Sequence, residues 1–447
     1  MRKLIRSRNR PPWNRRLDYR HVVTSFIQVS GKILLLRRSS KVGSYRGKWA
    51  AVSGYLEGNE DPAQRALIEI GEETGLTSAQ VKLVRVGEPL RAYDETVDVV
   101  WVVHPFLFEG SEPTVHLDWE NSEFQWVRPD ALREHETVPK LREAFDRVRW
   151  NLQTTPPALS EITRQVQEVA QDRTHGANYL GSRAIEIMKE ASRLSDATSP
   201  DNLFRDLLLV AFQLRNAQPS MATLRNLVGR VLYRLDSRRY DSSSVDDFRQ
   251  LVRMMADEHI SSAKRSLDEA CKNCNAFMPE NCRVLTHSYS STVRKALEIA
   301  HQTGKRLQVY VTESQPGGEG AQLTKVLSSK RIHVRLVPDI KSLPDMPAVE
   351  LVLVGSDSVM ADGSIVNKIG TKTIAELSNA RSIPFYVVCE TAKFNTFDFL
   401  GEPIRIVEAV FDLTPSKYVT KIITEHGPME PRDVENRIRN GLRELYT

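Results

Sequence analysis

Three hydrophobic patterns follow one another along these 447 residues, and that succession constrains the fold more than any other feature. From Val22 to Val148 the apolar runs are short and β-branched, with one strong helix among them. "HVVTSFIQV" and "KILLLRR" read as paired strands joined by a Ser30-Gly31 turn, and "DVVWVVHPFLFEG" and "FQWVRP" as further strands. "TTPPALSE" reads as a linker whose prolines stop what precedes it and open a helix. From Glu161 to about Ala276 nearly everything has a helical period, as in "NLFRDLLLVAFQL" and "TLRNLVGRVLYRL". From Arg283 onward the runs "RVLTH", "LQVYVTE", "IHVRLVP", "LVLVGSD" and "PFYVVCE" alternate with helical stretches such as "STVRKALEIAHQTG". That alternation predicts a parallel, doubly wound sheet, with ligands at the carboxyl ends of its strands. The expected parts are a basic tail at 1–20, a first domain at 21–150, a helical subdomain at 158–278 and a doubly wound domain at 279–447.

Charge and cysteine usage narrow the class. Charged residues are 27% of the chain and no run of about 18 apolar residues occurs, so no membrane span is expected. The basic start lacks an apolar core and is not a secretory signal. Arg2, Lys3, Arg6, Arg8, Arg10, Arg15, Arg16 and Arg20 face Asp18 alone, within a net charge of +5. Such a run is most simply a solvated tail; the sharper reading is an RNA or ribosome contact, with Trp13 and Tyr19 stacking on bases. Cys271 and Cys274 form a CxxC, but no second CxxC or His pair completes a zinc site. Free thiols are expected, and with them a cytoplasmic location.

The most informative stretch is Gly54 to Leu76, "GYLEGNEDPAQRALIEIGEETGL". Asp61 suits an N-cap, Pro62 the first helical position and Gly75 the stop. Glu69, Glu72 and Glu73 stand at i, i+3 and i+4, so their carboxylates share one side of the helix and repel. A hard divalent cation reverses that sign; Mg2+ (or Mn2+) uses few carboxylates and keeps waters or phosphates as its other ligands. The spacing resembles the Nudix box, with Gly54, Glu60, Glu69, Ile70, Glu72, Glu73, Gly75 and Leu76 in register. The resemblance implies an α/β/α sandwich that hydrolyses a nucleoside diphosphate linked to another group. It makes Glu69, Glu72 and Glu73 the metal ligands and catalytic groups, and Glu60 a further catalytic carboxylate. The arginine of the box falls on Ile68, and Arg65, four residues before Glu69, could pair with it instead. Asp118, Glu120 and Glu123 are candidate bases. Arg37, Arg38, Lys41, Arg46 and Lys48 could meet phosphates.

From about Ala158 the chain resembles the initiation factor 2B alpha/beta/delta family, which includes ribose-1,5-bisphosphate and methylthioribose-1-phosphate isomerases. The carrying segments are "LTHSYSSTV" (285–293), "VYVTESQP" (309–316), "GSDSVMADGSIVNKIGT" (355–371), "AKFN" (392–395) and "FDLTP" (411–415). The resemblance implies a helical front and a Rossmann-like sheet, binding of a sugar phosphate or nucleotide, and a homodimer. The isomerases use a cysteine and an aspartate. The aspartate falls on Asp357 and the cysteine on Ser288; the phosphate-binding "RGA" loop is "HGA" here, at 175–177, and a second arginine becomes Gln218. Ser288, Asp357, Asn367 and Lys368 are therefore expected to line a ligand pocket without isomerase activity. Two other readings stay open: a regulatory protein of translation with a sensing Nudix fold, and a bifunctional hydrolase and isomerase.

Overall fold

The structure, a computed structural model, describes residues 17–111, 114–402, 404–407 and 409–446. The basic run of the first 16 residues, with Trp13, lies outside them. The chain divides into two compact units, one running to Thr154 and the other from Thr155 to Leu445.

The first unit is built on β1 (Asp18–Val29), β2 (Lys32–Arg38), β3 (Trp49–Ala50), β4 (Val52–Tyr55), β5 (Val81–Val86), β6 (Leu90–Asp94), β7 (Val99–Gly110) and β8 (Asn121–Val127), with helices α1 (Pro62–Thr74) and α2 (Leu141–Arg149). The backbone path runs β3-β2-β1-β7-β5, with β4 on β1, β6 on β7 and β8 on β2. β1 and β7 pair in parallel from Asp18↔Val99 to Gln28↔Glu109. Ser30 (φ 49) and Gly31 (φ 78) both take left-handed backbone, the turn that matches the twist of a two-residue hairpin. Side chains alternate across the sheet with period two. Val23, Ile27, Leu34, Leu36, Phe106 and Phe108 therefore pack with Ala66 and Ile70 of α1. Phe26, Ile33, Leu35, Trp101 and Val103 face the other way, onto Ala144, Phe145 and Val148 of α2. One sheet buried on both faces gives the α/β/α sandwich. Asp18, Tyr19 and Arg20, read as the end of the basic tail, are instead the first residues of β1, because the parallel partner β7 is long enough to extend the ladder to them.

The second unit opens with helices α3 (Ser160–Gln171), α4 (Ala177–Leu194), α5 (Pro200–Ala217), α6 (Ala222–Arg238) and α7 (Val245–Phe277). Then come β9 (Asn281–Thr286), α8 (Ser291–Gln302), β10 (Arg306–Thr312), α9 (Glu319–Ser329), β11 (His333–Val337), β12 (Leu351–Val354), β13 (Ser358–Val359), β14 (Ile365–Lys368), α10 (Thr371–Ala380), β15 (Phe385–Val388), α11 (Thr396–Phe399), β16 (Phe411–Thr414), β17 (Lys421–Thr424), β18 (Gly427–Met429) and α12 (Val434–Gly441). The main sheet is ordered β11-β10-β9-β12-β15-β17-β18. All of its pairings are parallel except β17 with β18. Successive strands thus run outward from β9 on one side and outward from β12 on the other. The connections leave the sheet in opposite directions at β9 and β12, which opens a crevice beyond their carboxyl ends.

One feature departs from the sequence reading. A separate antiparallel sheet, β13-β14-β16, carries Asn367 and Lys368, which were expected at the ends of the parallel strands. Its strands are two to four residues long, too short to show a period. The CxxC cysteines lie in the last two turns of α7, in a core with Val284, Val293 and Leu297. All four thiols are free and buried, and burial beside Glu390 pushes Cys271 up to about 12. No helix among the described residues is long and apolar enough to cross a membrane.

Candidate functional site

In the first unit the acidic helix is placed by its own caps. The Asp61 carboxylate accepts from the Ala63 N–H at 3.0 Å, Pro62 opens the helix, and Gly75 closes it with left-handed backbone (φ 71). The helix lies over Gly54 of β4. An ideal Cβ on Gly54 would sit 1.7 Å from Glu69 Oε1, so the Glu69 carboxylate occupies the space that any larger residue would fill. Arg65 donates to Glu69 Oε1 and lies 3.9 Å from Glu72 Oε2. Ile68, at the position of the box arginine, is exposed.

Glu69 and Glu72 face a cavity of about 260 Å³ together with Arg38, Arg65 and Glu120. Its apolar wall includes Tyr45, Tyr55 and Trp101. These aromatics went unnoticed in the sequence because they come from three separate elements; among single scattered aromatics nothing distinguishes a binding wall from core. Glu73 is buried and points elsewhere: its carboxylate accepts from the Ser53 N–H at 2.9 Å and from Asn121 Nδ2 at 2.8 Å. Glu60 accepts from the Glu57 N–H at 3.1 Å and stays on the exposed loop before the helix. Of the basic residues near the box, Arg38 reaches the cavity, while Arg37 pairs with Glu123 at 3.1 Å and Lys48 with Glu136 at 3.3 Å.

Among the described residues, no three carboxylate, imidazole or thiol groups gather closely enough to hold an ion between them. The donor chemistry nonetheless fits a hard cation. Burial raises Glu69, which Arg65 opposes and Glu72 and Glu120 reinforce. Burial pushes Glu73 up to about 8, against its bonds from Ser53 and Asn121 and with help from Glu69 and Asp118. Each carboxylate thus carries a penalty that a nearby divalent ion would relieve.

That penalty has a testable sign. In metal-free protein the folded state keeps a proton on Glu73 that the unfolded chain releases near pH 4.5. The stability linked to this group is present below pH 4.5 and is lost as pH rises to about 8, amounting to a few kcal/mol at most. Urea unfolding in EDTA across this range should show the decline, and Glu73→Gln should reduce it. An unchanged slope in the variant would remove Glu73 as its source.

The second unit places its candidate residues around the crevice. Ser288, Asp357, Asn367 and Lys368 all line one cavity of about 480 Å³, joined by the His175–Ala177 loop and by Gln218. Ser288 follows β9 with left-handed backbone (φ 65); its N–H donates to Ser314 Oγ at 2.6 Å and its hydroxyl to Glu319 Oε2 at 3.3 Å. Lys368 Nζ donates to the other Glu319 oxygen at 2.5 Å. Asp357 lies in the link from β12 to β13; burial raises its carboxyl, and Lys393 and Lys368 oppose this. Asn367 Nδ2 donates to Thr371 Oγ1 at 3.1 Å. His175 Nδ1 sits 2.7 Å from Asp172 Oδ2, and its ring stacks on Tyr179. Gln218 Nε2 donates to the Val169 and Asp172 carbonyls at 2.7 and 2.9 Å, so it braces the loop end of α3.

Glu319 and Lys393 were missed. Lys393 belongs to the "AKFN" segment, whose recurrence as a motif was its only signal. The amino ends of α4 and α8 border the cavity through Ala177, Asn178, Ser290 and Ser291. The Ala177 N–H there bonds the Asp357 carboxylate, and the helix ends, with Lys368, Lys393 and Arg405, suit an anion.

The initiation factor 2 subunit family matches residues 173–406, more than half of the chain. The chain belongs to that family. A NUDIX domain matches residues 19–148 ahead of it. This family member is 30% identical to the ribose 1,5-bisphosphate isomerase of Archaeoglobus fulgidus, over 61% of this chain and 91% of that protein. It is 29% identical to a protein of Pyrococcus furiosus named translation initiation factor eIF-2B subunit 2-like, over 61% of this chain and 98% of the other. Among solved structures it is similar to the translation initiation factor eIF-2B of Pyrococcus horikoshii, 26% identical, with a TM-score of 0.53 over 62% of this chain and 99% of that one. The family's part therefore lies in the second unit, and the Nudix domain in the first.

Proposed function

We propose that the first unit hydrolyses a nucleoside diphosphate-linked substrate with Mg2+ or Mn2+, and that the second binds a sugar phosphate or nucleotide without isomerising it. The observation that carries the first half is Glu69, fitted against Gly54, facing a cavity with Glu72, Glu120 and three aromatic rings. Glu69 and Glu72, with Glu73 behind them, would hold the ion. A bound divalent ion supplies charge neutralisation for the diphosphate and lowers the pKa of a coordinated water. The chain's own groups do the rest. Arg65 orients Glu69, and Arg38 adds a cation at the cavity wall. Glu120 faces the same space as Glu69 and can accept the proton of the attacking water. Tyr45, Tyr55 and Trp101 offer ring faces to a nucleobase. A panel of nucleoside diphosphate derivatives tests this reading: turnover should appear with Mg2+ and vanish in EDTA, and a panel with no metal-dependent turnover overturns it.

For the second unit the deciding group is Ser288. Moving a proton between neighbouring carbons of an opened sugar needs a group that titrates near the working pH. A thiol starts at about 8.5 and can be tuned there, whereas a serine hydroxyl lies much further away. Here that hydroxyl is a donor to Glu319. Asp357, Lys368, Lys393 and the two helix ends still suit a phosphate. Sugar phosphates and nucleotides should therefore raise the melting temperature of the full chain, since a ligand of the native state alone adds stability. No isomerisation of ribose 1,5-bisphosphate or methylthioribose 1-phosphate should accompany it. Turnover that Asp357→Asn abolishes would overturn this and favour a bifunctional enzyme; absence of both binding and turnover would leave this unit as an interaction scaffold.

A further inference from the structure

A second cavity in the same unit, also about 480 Å³, lies where α6 and α7 meet the segment after β15. Arg230 and Arg234 of α6 and His259 and Lys264 of α7 line it, opposite Glu390 and Glu425. Both carboxylates have partners, although Glu390 Oε2 accepts no hydrogen bond among the described residues. Glu425 accepts from the Thr391 N–H at 2.9 Å and from its hydroxyl at 2.5 Å. Glu390 accepts from Asn178 Nδ2 at 2.8 Å and lies 3.6 Å from Lys393 Nζ. On the basic side, Arg234 meets Glu258 at 3.3 Å, a pair whose side chains are both well exposed and therefore weakly held. His259 Nε2 is buried with no hydrogen-bond partner among the described residues. A buried imidazole nitrogen beside two guanidinium groups is costly unless something fills the space.

We infer that this cavity binds a phosphate-bearing small molecule, held by Arg230, Arg234 and Lys264 and by the ring of His259. Guanidinium groups match phosphate oxygens with paired N–H donors, and an imidazole N–H supplies a further one. Burial, then the charges of Arg234 and Arg230, lowers the His259 pKa to about 4, so the ring is neutral near pH 7 and carries one N–H. Placed on Nε2, that proton gives the orphaned nitrogen its bond. The site is distinct from the crevice at the strand ends, although Asn178 and Tyr179 in the first turn of α4 border both cavities.

Calorimetry with inorganic phosphate on the full chain tests this. Lys368→Ala first weakens the crevice, where Lys393 and Arg405 remain, so that the binding lost on changing the second cavity's own residues reports that cavity. Adding Arg230→Ala and Arg234→Ala should then weaken that binding by about tenfold or more. Lys264 is on an exposed stretch of α7, so Lys264→Glu gives a second readout if the arginine variant fails to fold; it should weaken binding by about threefold or more. Undiminished affinity in either folded variant overturns the inference, as does the absence of phosphate binding in the Lys368→Ala chain.

Discussion

Glu72→Gln should lower metal-dependent hydrolysis by about 100-fold or more while the protein stays folded, a loss of roughly 2.7 kcal/mol of transition-state stabilisation. The two halves of that expectation have separate causes. Glu72 is exposed, with 61% of its side chain open to solvent, and its nearest cationic group, Arg65, stands 3.9 Å away. The fold therefore gains little from its charge. Replacing it removes a like charge beside Glu69, which should leave metal-free stability unchanged or slightly raised. The same replacement would take a charged oxygen from the proposed metal site, where an amide is a weaker partner for a hard ion. Kinetics over a Mg2+ titration, beside a thermal melt, separate these effects. Turnover within a factor of two of the natural chain would take Glu72 out of the mechanism.

Gly54→Ala should cost as much activity through sterics alone. The backbone at Gly54 is ordinary β-strand, paired with Val23, so alanine meets no conformational barrier there. The obstacle is the Glu69 carboxylate, whose Oε1 and Cδ would lie 1.7 and 1.9 Å from the new Cβ. Something must move, and the strand is pinned in a buried sheet while Glu69 can rotate. Rotation breaks the Arg65 pair and withdraws Glu69 from the cavity. A fall of about 100-fold in turnover is expected, with a stability loss of about 1–3 kcal/mol from overpacking. Glu69→Ala should lose a similar amount, and the double variant little more, because both changes remove the same carboxylate. Full activity in Gly54→Ala would show that the Glu69 carboxylate does not need its place against β4.

Local chemistry was legible in the sequence and tertiary convergence was not. Asp61, Pro62 and Gly75 announce a helix and its ends because caps act on neighbouring residues. The Arg65–Glu69 pair follows from spacing alone. The diverging directions of Glu72 and Glu73 do not: adjacent on the helix, one is open to water and the other is claimed by Ser53 and Asn121. Only the packed sheet decides which side of an acidic stripe is interior. In the second unit, alternation of strand and helix revealed the parallel sheet, and the segments 285–293 and 355–371 led to Ser288 and Asp357. The convergence of Asn367, Lys368, Glu319 and Lys393 on one crevice depends on a small antiparallel sheet and on loops with no period of their own. Likewise, the role of Gln218 became clear only through its two backbone carbonyl partners.

The reversal of winding between β9 and β12 has an evolutionary consequence. A hollow made by side chains can be filled by a single larger residue, but one made by the order of strands persists whatever residues border it. A lineage could therefore exchange its proton-transferring groups without first having to invent, or later having to close, a place for a ligand. Seen this way, a change of side chain at Ser288 leaves the room in place and alters only the groups that face it.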